Sequence, residues 1–270
     1  MSTANVPLKR DSSKAGSRAM NKVRATGRNL KLEIEYDGSN YYGWQVQNSS
    51  KTIQHILEEA LKKILQDNIK LTVAGRTDSG VHAISQVANF KSNTKITFEK
   101  LRWGLNCLLP EDIKITRIKN VPLDFNSRFW AKSKIYRYTI LNRKYSSALL
   151  SKQVYFFHYP LNIALMRKEA RVILGRHNFK SFQAADTRQR NPIRTIKRIK
   201  IFKDNGLLHV DIEADSFLYN MVRNIVGTLL EIGRGRFSKG AMLQILKSKD
   251  RSLAGPTLPA KGLCLLKVKY

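Results

Sequence analysis

The stretch Ala74-Gly75-Arg76-Thr77-Asp78-Ser79-Gly80-Val81-His82-Ala83 gathers the side chains best suited to chemistry. Two glycines bracket an arginine, a threonine, an aspartate and a serine, directly after a short apolar run. Glycine permits a tight turn and the close approach of another backbone. Such a turn can present Asp78 into a cleft, where a carboxylate serves as nucleophile or general base. The alternative is an Asx-type turn in which Asp78 bonds its own backbone. His82 stands alone and reads as a structural histidine. No His/Asp/Ser spacing suggests a triad, and no phosphate-binding glycine loop is present.

Arg223 is the second candidate. It lies in the apolar run Phe217-Leu218-Tyr219-Asn220-Met221-Val222-Arg223-Asn224-Ile225-Val226-Gly227. A buried guanidinium requires a carboxylate from elsewhere, and Asp78 is a fitting partner. Otherwise Arg223 emerges at a helix edge and meets phosphate or solvent. The third candidate is Tyr136-Arg137-Tyr138. Period two puts both tyrosines on one face and Arg137 on the other. There they either pack in the core or stack on an extruded base.

Elements to hold these groups follow from the periodicities. Leu30, Leu32, Ile34 and Tyr36 alternate with Lys31, Glu33 and Glu35, a strand with one buried face. Ile53 to Leu65 recurs at helical spacing behind Thr52 as N-cap. Strands are expected at 69–73, 87–90, 113–118, 135–141, 194–202, 207–214 and 263–268. A turn at Asp204-Asn205-Gly206 joins the fifth and sixth of these. Further helices are expected at 98–109, ended by Pro110, at 161–174, ended by Gly175, and at 217–232, with a shorter one at 241–246. The fold expected is α+β: two α/β subdomains with mostly antiparallel sheets flanked by helices. The divisions are a tail at 1–29, an N-terminal subdomain at 30–122 carrying Asp78, and a C-terminal subdomain at 123–270.

The charge balance narrows the partner. The 270 residues include 49 Lys and Arg against 20 Asp and Glu, a formal net charge of +29. That excess favours nucleic acid, since each neutralised phosphate releases counterions. Residues 1–29 hold seven basic residues and one acid, with few large apolar side chains, and read as disordered. Lys132, Lys134, Arg143, Lys144, Arg188, Arg190, Arg194, Arg234 and Arg236 are candidate phosphate contacts as a group. No apolar run is long enough to span a bilayer. Cys107 and Cys264 lack metal-ligand spacing, and their apolar neighbours suggest buried, reduced thiols in a cytoplasmic protein.

Taken together, several blocks resemble the tRNA pseudouridine synthase A family. They are Glu35-Tyr36-Asp37-Gly38, Tyr42-Gly43-Trp44-Gln45, Ala74 to Ala83, Asp124-Phe125 with Arg128-Phe129, Tyr136-Arg137-Tyr138, Met221 to Gly227, and Ala254-Gly255-Pro256-Thr257. They occur in family order from about residue 30 to the C-terminus. The resemblance implies an isomerase that converts uridine to pseudouridine at positions 38, 39 and 40 of the tRNA anticodon arm. It implies Asp78 as the catalytic residue, Tyr136 in the active site, Arg223 paired with Asp78, and Arg76 handling the flipped nucleotide. It further implies a basic catalytic cleft between the two subdomains and a homodimer whose two subunits contact one tRNA, with no cofactor and no metal. Asn126-Ser127 depart from the family's usual His-Ala, and Leu258 stands where a small residue is common. Two other readings of the residues remain: a non-catalytic tRNA-binding chaperone of the same fold, and a metal-dependent nuclease using Asp78.

Overall fold

The structure, a computed structural model, describes residues 1, 27–46, 51–185 and 191–270. The expected disorder of the tail concerns residues that lie almost entirely outside this set, as do Arg188 and Arg190.

Among the described residues, ten strands form one sheet. They are β1 (Arg28–Tyr36), β2 (Thr72–Val73), β3 (His82–Ser92), β4 (Ile113–Val121), β5 (Ser133–Leu141), β6 (Tyr155–Phe156), β7 (Gly175–Asn178), β8 (Ile193–Asp204), β9 (Leu207–Ala214) and β10 (Leu263–Lys269). The main path runs β4-β1-β3-β10-β5-β9-β8-β7, with β2 on β3 and β6 on β5. Pairing is antiparallel except for β10 with β3 and β6 with β5. The strands before residue 122 thus make one end of the sheet and those after it the other. The C-terminal β10 joins them, because it pairs with both β3 and β5.

Alternation in each strand builds a common apolar face. Leu32 sits opposite Ala88 and Ile118, and Tyr136 opposite Leu265 and Ile212. Their buried side chains belong to one contiguous core. Among the described residues, five α-helices accompany the sheet: α1 (Ile53–Leu65), α2 (Phe98–Leu108), α3 (Ile163–Ala170), α4 (Met221–Gly233) and α5 (Ala241–Ser248). Thr52 and Thr97 cap α1 and α2 by accepting the N–H groups of His55 and Lys100. Every residue of α4 except Arg223 is buried.

Several expectations change. β1 begins at Arg28, and Asn29 is fully buried, so the tail ends earlier than expected. Only Thr72 and Val73 pair as strand. Leu71 is buried, but its N–H is taken by the Glu58 carboxylate, 2.9 Å away. The expected helix at 161–174 is α3 followed by a 3-10 turn at Arg171–Ile173, before Gly175 at φ +92°. The helix expected from Phe217 starts at Met221, because Asn220 adopts φ +57°. Cys107 is exposed rather than buried. On α2 the buried positions are Leu101 and Leu105, and 107 lies away from that stripe.

Candidate active site

Residues 74–81 form the loop between β2 and β3, held from two sides. From below, the Tyr36 hydroxyl meets Thr77 Oγ1 at 2.8 Å, and Gln86 Nε2 donates to Tyr36 Oη at 3.3 Å and to the Gly75 carbonyl at 2.8 Å. From the flank, the segment 41–44 docks along the loop. Trp44 N–H donates to Thr77 O at 3.0 Å, while Gly80 N–H and Ser79 Oγ both donate to Tyr41 O, at 3.3 and 3.1 Å. Gly43, at φ +82°, has no room for a side chain, since a Cβ would lie 2.7 Å from Thr77 O. This contact accounts for the Tyr-Gly-Trp-Gln block: it is the other half of the Asp78 loop.

The Asp78 backbone carbonyl closes a turn by accepting Val81 N–H at 3.2 Å. Its carboxylate has no hydrogen bond and no ion pair within 4.0 Å among the described residues, so the Asx-turn alternative does not hold. Burial pushes the Asp78 carboxyl above the ordinary carboxylate range, and Arg223 opposes that shift without cancelling it. His82 is the structural histidine expected. Its Nδ1 accepts Gly38 N–H at 3.1 Å and its Nε2 faces the carbonyls of Lys152 and Lys261.

Arg223 acts on Asp78 through space. Its Nε donates to Leu258 O at 2.5 Å and one terminal nitrogen donates to Asn220 Oδ1 at 2.7 Å. The direct Asp78–Arg223 ion pair expected from the sequence is not formed, because the guanidinium is held by these neighbours. The two tyrosines of β5 divide the alternatives between them. Tyr138 is fully buried and donates to Pro259 O at 2.7 Å, so it packs. Tyr136 lines the cleft, with Phe217 edge-on at 5.2 Å. Burial raises its phenol pKa, and Tyr36 and Asp78 raise it further. Arg137, on the opposite face, makes a two-pronged pair with Asp211 at 2.7 and 2.9 Å.

Asp78, Tyr136 and Phe217 line a cleft of about 1480 Å³ built from both ends of the sheet. Arg76 is exposed at its wall. Arg128, Lys134 and Arg194 join it, against Asp78 and Asp215, so the cleft is basic. Of the other candidate phosphate contacts, Arg234 and Arg236 instead pair with Glu231. Sequence reasoning passed over the framework of Tyr36, Thr77 and Gln86, whose polar side chains sit at positions that read as strand or loop. Among the described residues, no three His, Cys, Asp or Glu side chains come together as a metal-binding group. No helix among them is long and apolar enough to cross a membrane.

Comparison with known proteins identifies the family. The family described as tRNA pseudouridine synthase matches residues 33–130 and 170–270. The tRNA pseudouridine synthase A of Thermoanaerobacter sp. is 46% identical over 243 residues, which is 90% of this chain and all of the relative. The proteins of that name from Caldicellulosiruptor saccharolyticus and Clostridium acetobutylicum are 44% and 45% identical over the same shares. The solved archaeal box H/ACA Nop10–Cbf5 complex is far less similar. It is 11% identical over 83% of this chain and 59% of that one, with a TM-score of 0.33, too low to bear on the argument. The chain belongs to the tRNA pseudouridine synthase family, isomerases that convert uridine to pseudouridine in tRNA.

Proposed function

We propose that this protein isomerises uridines in the anticodon arm of tRNA, at positions 38, 39 and 40, with Asp78 as its catalytic carboxylate. The observation that carries the reading is the Asp78 carboxylate, unbonded among the described residues, beside Tyr136 in a basic cleft. Poor solvation makes such a carboxylate more reactive than one in water, while Arg223 opposes the rise in its pKa and so favours its anionic form. Asp78 attacks C1′ or C6, or removes the 2′ proton. In each case the C1′–N1 bond breaks, the uracil turns, C1′ joins C5, the C5 proton leaves and N1 regains a proton. Atoms balance without a redox partner or cofactor. Tyr136 stacks on the turning base, and Arg76 handles the flipped nucleotide at the cleft wall. The protein acts in the cytoplasm as a homodimer, one tRNA contacting both subunits.

The test is tritium release from tRNA labelled at uridine C5, comparing wild type with Asp78→Ala in EDTA. Joining the sugar to C5 must displace that hydrogen. Release by wild type alone is expected. Tight binding of tRNA without release would overturn the assignment in favour of a chaperone, and loss of release in EDTA would favour metal chemistry.

A further inference from the structure

Lys134 lies two residues before Tyr136 on β5, on the same face, and only 9% of it is exposed. It lines the cleft with Asp78. Its ammonium has no hydrogen bond and no carboxylate at ion-pair distance among the described residues. Two charges reach it. Asp215 is already engaged, accepting Thr195 N–H at 3.2 Å through Oδ2, and Ser216 N–H at 2.5 Å and Ser216 Oγ–H at 3.3 Å through Oδ1. Arg128 carries the same sign as the lysine. Burial first, then Arg128, holds the Lys134 pKa below its usual value. An ammonium enclosed beside a guanidinium, with no anion in contact, is unfavourable as it stands.

The surroundings fix this arrangement rather than relieve it. A Cβ on Gly75 would lie 2.9 Å from Lys134 Cε and 3.3 Å from Cδ. Gly75 therefore leaves room for the lysine stem, three residues before Asp78, and it does so without a positive φ. The turn carrying Arg128 is equally determined. Asn126 Oδ1 accepts the N–H groups of Arg128 and Phe129 at 3.0 and 3.2 Å. Ser127 N–H donates to Asn89 Oδ1 at 2.9 Å, and Ser127 Oγ donates to Thr72 O at 2.5 Å. Asn126 thus shapes the Arg128 turn, and Ser127 ties it to β3 and to β2, the strand that leads into the Asp78 loop.

We propose that Lys134 and Arg128 form a phosphodiester subsite that grips the RNA backbone beside the reacting uridine, with Gly75 vacant to admit the lysine stem. The inference rests on the cleft being the RNA site. Held there, a phosphate supplies the missing anion and sets the strand relative to Asp78 and Tyr136.

The test uses the full chain with Lys134→Met, which keeps an unbranched stem over Gly75, and Lys134→Arg, which keeps the charge. Affinity for a tRNA transcript is measured across a salt series, alongside tritium release and thermal unfolding. Lys134→Met is expected to weaken binding about ten- to a hundredfold and to flatten the salt slope by about one. Its unfolding temperature should hold or rise, because an enclosed charge is gone, and Lys134→Arg should retain most of the affinity. A neutral methylphosphonate at a linkage flanking the target uridine should weaken wild type and leave Lys134→Met unchanged. Wild-type affinity and salt slope in Lys134→Met, with wild type still releasing tritium, would overturn the subsite. A fall in its unfolding temperature would also overturn it, by making Lys134 structural. If wild type releases no tritium while Lys134→Met still loses affinity and salt slope, the phosphate subsite stands and the catalytic reading fails.

Discussion

Gly43→Ala tests whether the position of Asp78 depends on the segment docked beside its loop. Gly43 sits at φ +82°, where an L-residue costs about 1–2 kcal/mol. The added Cβ would stand 2.7 Å from Thr77 O and 3.1 Å from the Asp78 carbonyl carbon and from Ser79 N. Ordinary contact begins at 3.4 Å, so the loop must withdraw by about 0.7 Å at Thr77. Withdrawal stretches the 3.0 Å bond from Trp44 N–H to Thr77 O, a loss of about 1 kcal/mol. Together these lower the unfolding temperature by about 5–10 °C for a chain of this size. The catalytic consequence is larger. A displacement approaching 1 Å at a reacting group lowers turnover by about a hundredfold. Binding should be spared, because the cleft's Arg128, Lys134 and Arg194 lie on other segments. Single-turnover tritium release at saturating tRNA, set beside direct measurement of tRNA affinity, reads the two effects separately. Wild-type turnover, or a loss confined to affinity, would refute the claim that residues 41–44 place Asp78.

Other outcomes follow from the charges at the site. Asp78→Asn should abolish tritium release yet raise the unfolding temperature at neutral pH. The folded carboxyl titrates above its unfolded value, so ionised Asp78 destabilises the fold; the stabilising effect should vanish as pH falls below the unfolded carboxyl value, and a destabilised Asp78→Asn at pH 7 would contradict this sign. Arg223→Leu should move the acid limb of the kcat/KM profile to higher pH, since Arg223 is the group lowering the Asp78 pKa; an unmoved limb would show that its role is only to hold Leu258 and Asn220. Tyr136→Phe should bind tRNA normally and react much more slowly, and normal turnover would limit Tyr136 to stacking.

Legibility in the sequence followed the kind of force at each position. Where burial alone sets the structure, periodicity revealed it: β1 alternates as read, α1 runs from Ile53 to Leu65, and Asn205 and Gly206 at φ +46° and +77° make the expected hairpin turn. Where a polar side chain decides, pattern failed. Ile69 and Leu71 look like strand, but the Glu58 carboxylate takes the Leu71 N–H and only two residues pair. Phe217 and Leu218 look helical, yet Asn220 in a left-handed conformation delays α4 to Met221 and frees Phe217 to pack on Tyr136. Asp78, Tyr136 and Arg76 come together at one cleft, whereas the direct Asp78–Arg223 pair does not form. No spacing rule reports that a guanidinium is already held by a carbonyl and an amide. Gly75 was legible as a close approach, but what approaches is the stem of Lys134 rather than a backbone.

The contrast between framework and cleft separates structure from function here. Beneath the site, Asn29 donates to Pro122 O and Phe125 O at 2.9 Å each and accepts from Asn89 at 3.0 Å, and Tyr36, Thr77 and Gln86 satisfy one another. Networks satisfied this fully hold their members in one arrangement. Within the cleft the pattern reverses. Asp78 is burdened by desolvation and titrates high; Lys134 is burdened in the same way and titrates low. Each shift is the direction that disfavours the charged form, so each group lowers the stability of the empty protein. A chain selected only for stability would replace both with neutral side chains. Their presence on this framework is understood if substrate relieves them, the lysine by a backbone phosphate and the aspartate by reaction at the nucleoside. Binding and chemistry then draw on two strained charges that the framework holds apart until RNA arrives.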